Sequence, residues 1–153
     1  MLENLALKHV KALRSLIKSE ELKESVVSRI KSVTSEIALL DLLPAVALYV
    51  TKLERLEHHD AYFITYRVLS SAEKDIKMNL VLPIEDEKVS FAIVLACIAR
   101  AVEVSKATRQ LDNVVRLVKA LYSLDYEKRL EIEALVSRYL EVLKQLSKFI
   151  SID

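Results

Sequence analysis

The sequence predicts an all-α fold: a single-domain helical bundle of six or seven helices spanning residues 1–153, with no sheet. Three observations carry that expectation. The 153 residues contain no glycine and two prolines, where average usage of about 7% would place roughly eleven glycines. Apolar residues recur at i, i+3, i+4 and i+7 along nearly the whole chain, the period of a helix with one buried face. The only stretch with strand-like character, Leu80 to Ile84, is interrupted by Pro83, which cannot donate to a sheet ladder.

Residues 3–18 form the first expected helix, with Ala6, Val10, Leu13 and Ile17 on one face. Ser19 followed by Glu20 and Glu21 reads as an N-cap with acids in the first turn, where they oppose the helix dipole. Leu22, Val26, Ile30, Val33 and Ile37 then make the stripe of a second helix, which should stop before Pro44. Pro44 fits the first turn of a third helix that continues through Leu53 and Leu56. Asp60 is expected to cap a fourth helix carrying Tyr62, Tyr66, Leu69 and Ile76 and ending near Asn79, after which Leu80–Ile84 crosses the surface as an extended connector. Glu85 or Asp86 opens a helix containing the uninterrupted apolar run Phe91–Ala99, which belongs at the centre of the bundle or in a subunit interface. A break near Ser105 leads to a helix through Leu111, Val114, Val118 and Leu121. Asp125 caps a last helix with a continuous stripe from Ile132 to Ile150.

Composition narrows the function. Without glycine there is no dinucleotide-binding loop, P-loop, nucleophile elbow or EF-hand turn. The longest apolar run is far shorter than the ~20 residues of a membrane span, and the amino terminus shows no apolar signal core, so no membrane partner is expected. A single cysteine, Cys97, sits within an apolar run and favours a reducing, cytoplasmic setting, where it serves as a small buried hydrophobe. Few thermolabile residues and many Glu, Lys and Arg predict a thermophilic, archaeal source.

Four features are candidates for chemistry. Lys8, Lys11, Arg14 and Lys18 fall within about a third of the first helix's circumference, opposite its apolar face. Such a stripe tracks a phosphate backbone, or it is the solvated face of a bundle helix. A second basic set comprises Lys106, Arg109, Arg116 and Lys119, with Asn113 as a neutral donor, although Asp112 intrudes and could pair with Arg109 or Arg116. Adjacency of the two stripes would make a groove. Tyr62, Phe63 and Tyr66, followed by Arg67, could stack on unpaired bases or simply pack between helices. His58, His59 and Asp60 concentrate ligand or acid–base groups, but adjacent histidines on a helix diverge by about 100°, and a position at a helix C-terminus accounts for them equally well. His9 is a weaker candidate of the same kind, and Glu85, Asp86 and Glu87 fit a helix start. No catalytic constellation, metal site or cofactor site is expected.

The helix running into Leu42-Leu43-Pro44-Ala45-Val46-Ala47-Leu48-Tyr49, then a second helix with Tyr62 and Tyr66-Arg67-Val68-Leu69, resembles the small helical subunit of Cmr-type (type III) CRISPR effector complexes. The resemblance spans residues 37–76. It implies a non-catalytic role in antiviral defence, in which stacked copies hold nucleic acid through basic residues beside other protein subunits. The expected partners are therefore other subunits of a complex and the backbone of RNA or single-stranded DNA. Two rival expectations remain. One is a protein–protein scaffold or homodimer associating near Phe91–Ala99, such as an accessory subunit of a primase or polymerase. The other is a small enzyme centred on His58, His59 and Asp60.

Overall fold

A computed structural model describes residues 2–106 and 110–151, with the backbone alone for Lys106. Its elements are α1 (Leu2–Leu16), α2 (Glu20–Leu40), α3 (Leu42–Val50), α4 (Leu56–Glu73), α5 (Val89–Lys106), α6 (Val114–Tyr122), α7 (Tyr126–Leu146) and α8 (Lys148–Ser151). The all-helical class is as expected, with no strand among the described residues. Among the described residues there are eight helices rather than six or seven, because the last apolar stripe does not lie on one helix. Ser147 turns its hydroxyl back to the Lys144 carbonyl (2.8 Å) at the end of α7, and the chain restarts as the short α8.

The apolar run Phe91–Ala99 makes α5 the centre of the molecule, and α2, α3, α4 and α7 all pack on it. Every residue of that run is buried by the chain's own helices. The run therefore presents no exposed face of its own, and it serves as the centre of the bundle. The helix α1 lies against α4, α7 and α8, and α6 against α3.

With no glycine, the chain makes its sharp reversals with aspartate. Pro44 has no N–H to donate to the Leu40 carbonyl, so α2 cannot run on into α3. The break falls at Asp41, with φ 71° and ψ 167°, a region of backbone space that is essentially glycine's. The restarted chain is secured where the Glu133 carboxylate accepts the Leu42 N–H (2.7 Å). At the end of α4, Asp75 adopts φ 61°. Its N–H reaches the Ala72 carbonyl (3.0 Å) and the Ile76 N–H reaches that of Ser71 (2.9 Å). This is a Schellman closure with aspartate where glycine is usual, and it stops α4 at Glu73, ahead of the expected end near Asn79.

Two further boundaries differ from the sequence reading. The third helix ends at Val50, and α4 begins at Leu56, so Asp60 lies inside α4 and does not cap it. The start of α4 is closed by His58, whose Nδ1 accepts the N–H groups of Glu54 and Arg55 (both 3.2 Å). Elsewhere the expected caps hold. Ser19 accepts the Leu22 N–H, and Asp125 accepts the Lys128 N–H. Asp86 opens α5 by accepting the Val89 N–H (3.2 Å), whereas Glu85 reaches across to the N–H groups of Lys18 and Ser19 at the start of α2.

Candidate functional site

The first basic stripe lines a groove. Lys8, Lys11, Arg14 and Lys18 form one wall of a cleft of about 840 Å³, and the segment following α4, residues 75–81, forms the other. Lys23 and Lys77 add positive charge, and Asp75 is the one acidic residue among the described lining residues. The cleft lies in the size range of ligand sites, roughly 300–1,000 Å³. The sequence places the stripe on α1 because the opposite face of that helix, Ala6, Val10 and Leu13, is fully committed to the core.

The cations of the groove are not equally available. Lys8 donates to the Glu73 carbonyl (3.2 Å) and pairs with Asp75 (3.3 Å). Lys18, just past the end of α1 and not within it as expected, reaches back to the Ser15 carbonyl (2.9 Å), and Lys23 pairs with Glu20 (3.6 Å). Lys11, Arg14 and Lys77 make no ion pair or side-chain hydrogen bond among the described residues. Four cations, Lys11, Arg14, Lys18 and Lys77, are thus free of acidic partners there.

Of the second stripe, Arg116 and Lys119 stand away from the first: neither lines the cleft, and α6 packs on α3 while α1 packs on α4, α7 and α8. Arg116 is held by Asp112 (2.9 Å), one turn earlier. Asn113 is the N-cap of α6, its side-chain oxygen accepting the Arg116 N–H (2.9 Å), a bond that leaves its NH2 donors unused. Lys119 is exposed on α6. Arg109 and the side chain of Lys106 lie outside the described residues.

The aromatic group packs inward. Tyr62 and Tyr66 are buried; the first donates to the Leu111 carbonyl (2.6 Å) and the second to Glu103 (2.5 Å). Burial and the neighbouring Glu103 carboxylate push the Tyr66 hydroxyl up to about 12. Only Phe63 is exposed, with the Arg67 guanidinium over its ring. The histidine pair sits at the N-terminus of α4, not at a helix C-terminus. His58 spends Nδ1 on the cap and directs Nε2 to Asp86 (3.0 Å), tying the start of α4 to the start of α5. Burial alone would raise the Asp86 carboxyl, but its bond to His58 holds it below the usual aspartate value. His58 thus works as a structural tie, and no cluster able to hold a metal ion occurs among the described residues.

The main polar constellation was not singled out by the sequence reading. His9, completely buried, bonds through Nε2 to Glu73 (2.8 Å) and through Nδ1 to the Tyr139 hydroxyl (2.6 Å). Arg100 clasps Glu73 with Nε (2.9 Å) and Nη2 (2.5 Å), and it also bonds Glu103 and the Tyr66 hydroxyl. The carboxylate requires a donor on Nε2, so Nδ1 of the neutral ring accepts from Tyr139. Burial lowers the affinity of His9 for a proton, outweighing the pull of Glu73. Burial would raise the Glu73 carboxyl, but Arg100 and His9 together bring it below the usual glutamate value. Behind Tyr139, burial pushes the Cys97 thiol up to about 12, leaving it protonated and inert. The one sequence signal for this network is Arg100 itself, a cation at the end of an apolar run, since a buried charge needs a partner.

No helix among the described residues is long and apolar enough to cross a membrane. No protein-family model, curated protein or solved structure matches the chain.

Proposed function

We propose that this protein is a non-catalytic helical subunit that holds a nucleic-acid backbone along α1, within a larger nucleic-acid-processing ribonucleoprotein. The observation that carries the reading is the groove. Six basic residues and one acidic residue line it, in a chain whose net charge is only +1. Contacts from lysine and arginine to phosphates position a strand without reading its sequence, and they need no catalytic group. The resemblance of residues 37–76 to the small subunit of Cmr-type CRISPR effector complexes points to that class of ribonucleoprotein. On this reading Lys8, Lys11, Arg14 and Lys18 hold the backbone, and the second stripe is secondary to it.

Binding of fluorescent RNA and DNA across a salt series tests the reading. With four cations neutralising phosphates, log affinity should fall against log salt with a slope of about −2.8 on a single strand, or about 50-fold between roughly 50 and 200 mM. Reversing Lys11 and Arg14 to Glu leaves two, for a slope of about −1.4 and a loss of about sevenfold over the same range. If the double reversal changes neither affinity nor slope, the stripe is an ordinary solvated face.

A protein–protein scaffold is the second reading, and one observation favours it. Leu39, Leu56, Tyr122 and Tyr126 are each largely exposed, and a contiguous patch of such side chains would mark a contact surface. Sedimentation of the protein over a concentration series, with and without L39S and Y126S, separates self-association from monomer.

A further inference from the structure

The two walls of the groove differ in chemistry, and the difference specifies a ligand more narrowly than positive charge does. The α1 wall carries the cations. The opposite wall presents Ile76 and Val81, 56% and 70% exposed, with Met78, Leu80 and Asn79 between them. This segment is also unusual in its main chain. After the Ile76 N–H closes α4, no backbone group from 77 to 84 makes a hydrogen bond among the described residues. Leu82, buried, pins the segment to the core.

We propose that the groove takes a single-stranded polynucleotide, its phosphates on Lys11, Arg14 and Lys18 and its unpaired bases against residues 76–81. The proposal rests on the nucleic-acid reading above and adds a second contact surface and a strand class to it. A single strand is itself two-sided: charged along the backbone, with flat apolar faces and hydrogen-bonding edges on its bases. The apolar side chains meet the base faces. The unpaired amides and carbonyls of the segment and the Asn79 amide meet the Watson–Crick edges of the bases, which are accessible only when the strand is unpaired. A duplex turns those edges inward and offers the second wall only more phosphate. A simple polyanion would satisfy α1 and leave Ile76 and Val81 in water. From Lys8 to Arg14 the stripe on α1 extends about 9 Å, with Lys18 just beyond the helix end, enough for a few nucleotides. Among the described residues no aromatic lines the cleft, so the base contact is apolar packing and hydrogen bonding.

The test compares oligo(dT), an abasic strand of the same length, a duplex of that length and poly-glutamate, at one salt concentration and across a series. The full chain is used with two variants, the exposed-site pair I76S/V81S and the reversal K11E/R14E. Oligo(dT) should bind about tenfold more tightly than the abasic strand, the effect of burying part of two aliphatic side chains, and should not be displaced by the duplex. I76S/V81S should bring oligo(dT) and the abasic strand to within about twofold of each other while leaving the salt slope unchanged. K11E/R14E should weaken both strands alike and flatten the slope. Equal binding of oligo(dT) and the abasic strand, or equal competition by duplex, overturns the base contact and leaves the phosphate track standing. Failure of every nucleic acid to bind at low salt, or poly-glutamate matching oligo(dT), overturns the nucleic-acid reading along with it.

Discussion

Replacing Glu73 with Gln removes the charge around which α1, α4 and α5 are joined, and the geometry fixes how much should be lost. The carboxylate receives two bonds from Arg100 and one from His9, and the side chains of Glu73 and Arg100 are 13% and 7% exposed. An amide keeps one oxygen as an acceptor, but its NH2 must face either a guanidinium or an imidazole N–H, both donors. Removing one partner from a buried ion pair costs about 3–5 kcal/mol, since the other charge stays behind unpaired. Arg100 still has Glu103, so the lower end applies, about 3 kcal/mol. For a domain of this size each kcal/mol shifts the melting temperature by about 2–4 °C, giving a fall of roughly 10 °C. Guanidinium unfolding followed by circular dichroism measures it, as a lower midpoint with an unchanged slope. In a double-mutant cycle with R100Q the two changes should fall short of additivity by at least about 1 kcal/mol. A loss below about 1 kcal/mol for E73Q, with additive behaviour in the cycle, would refute the view that this network organises the fold.

Two further outcomes follow from the same structure. His9 is held neutral by burial, with its proton affinity lowered, whereas in the unfolded chain it titrates near 6.5. The unfolded state therefore binds more protons below that value. Stability should be level above pH 6.5 and should fall as pH drops from about 6.5 to 5, by at most about 1.4 kcal/mol per pH unit. Unfolding midpoints for the wild type and for H9N over that range check the sign, and the variant, weaker at pH 7.5, should lose this part of the slope. Asp41→Gly should stabilise the protein by about 1 kcal/mol, because strain of about 1–3 kcal/mol is relieved against about 0.5–1 kcal/mol of added backbone entropy in the unfolded chain. A midpoint in D41G equal to or below that of wild type would show that Asp41 is not strained.

Some of the molecule was legible because its cause is local. The helical period, the missing glycine, Pro44 and the caps Ser19 and Asp125 each act within a few residues, so they appear directly in the sequence and set the class and most helix starts. Where a local signal had a distant competitor, the reading failed. Asp60 has the chemistry of a cap, but His58 closes α4 because it can also reach Asp86, 28 residues away. The break at Ser147 and the early end of α4 depend on backbone turns that serine and aspartate are able but not obliged to make.

The candidate site divides along the same line. The sequence by itself determined that α1 carries a cationic face, since the helical period separates Lys8, Lys11, Arg14 and Lys18 from the core positions without reference to the rest of the chain. It also determined that Phe91–Ala99 must be covered, since so apolar a helix has no stable exposed face. Only the tertiary structure decided what covers it, what faces the cations, and that Arg116 and Lys119 lie away from α1. The extended segment 76–81 became the groove's second wall because Leu82 and the closure at Asp75 place it beside α1. His9, Glu73 and Arg100 meet because three helices pack at one place, 64 and 27 residues apart along the chain. Periodicity states which face of each helix must be buried. Which faces meet is settled by fitting all the side-chain volumes and buried charges at once, a property of the whole chain and not of any window within it.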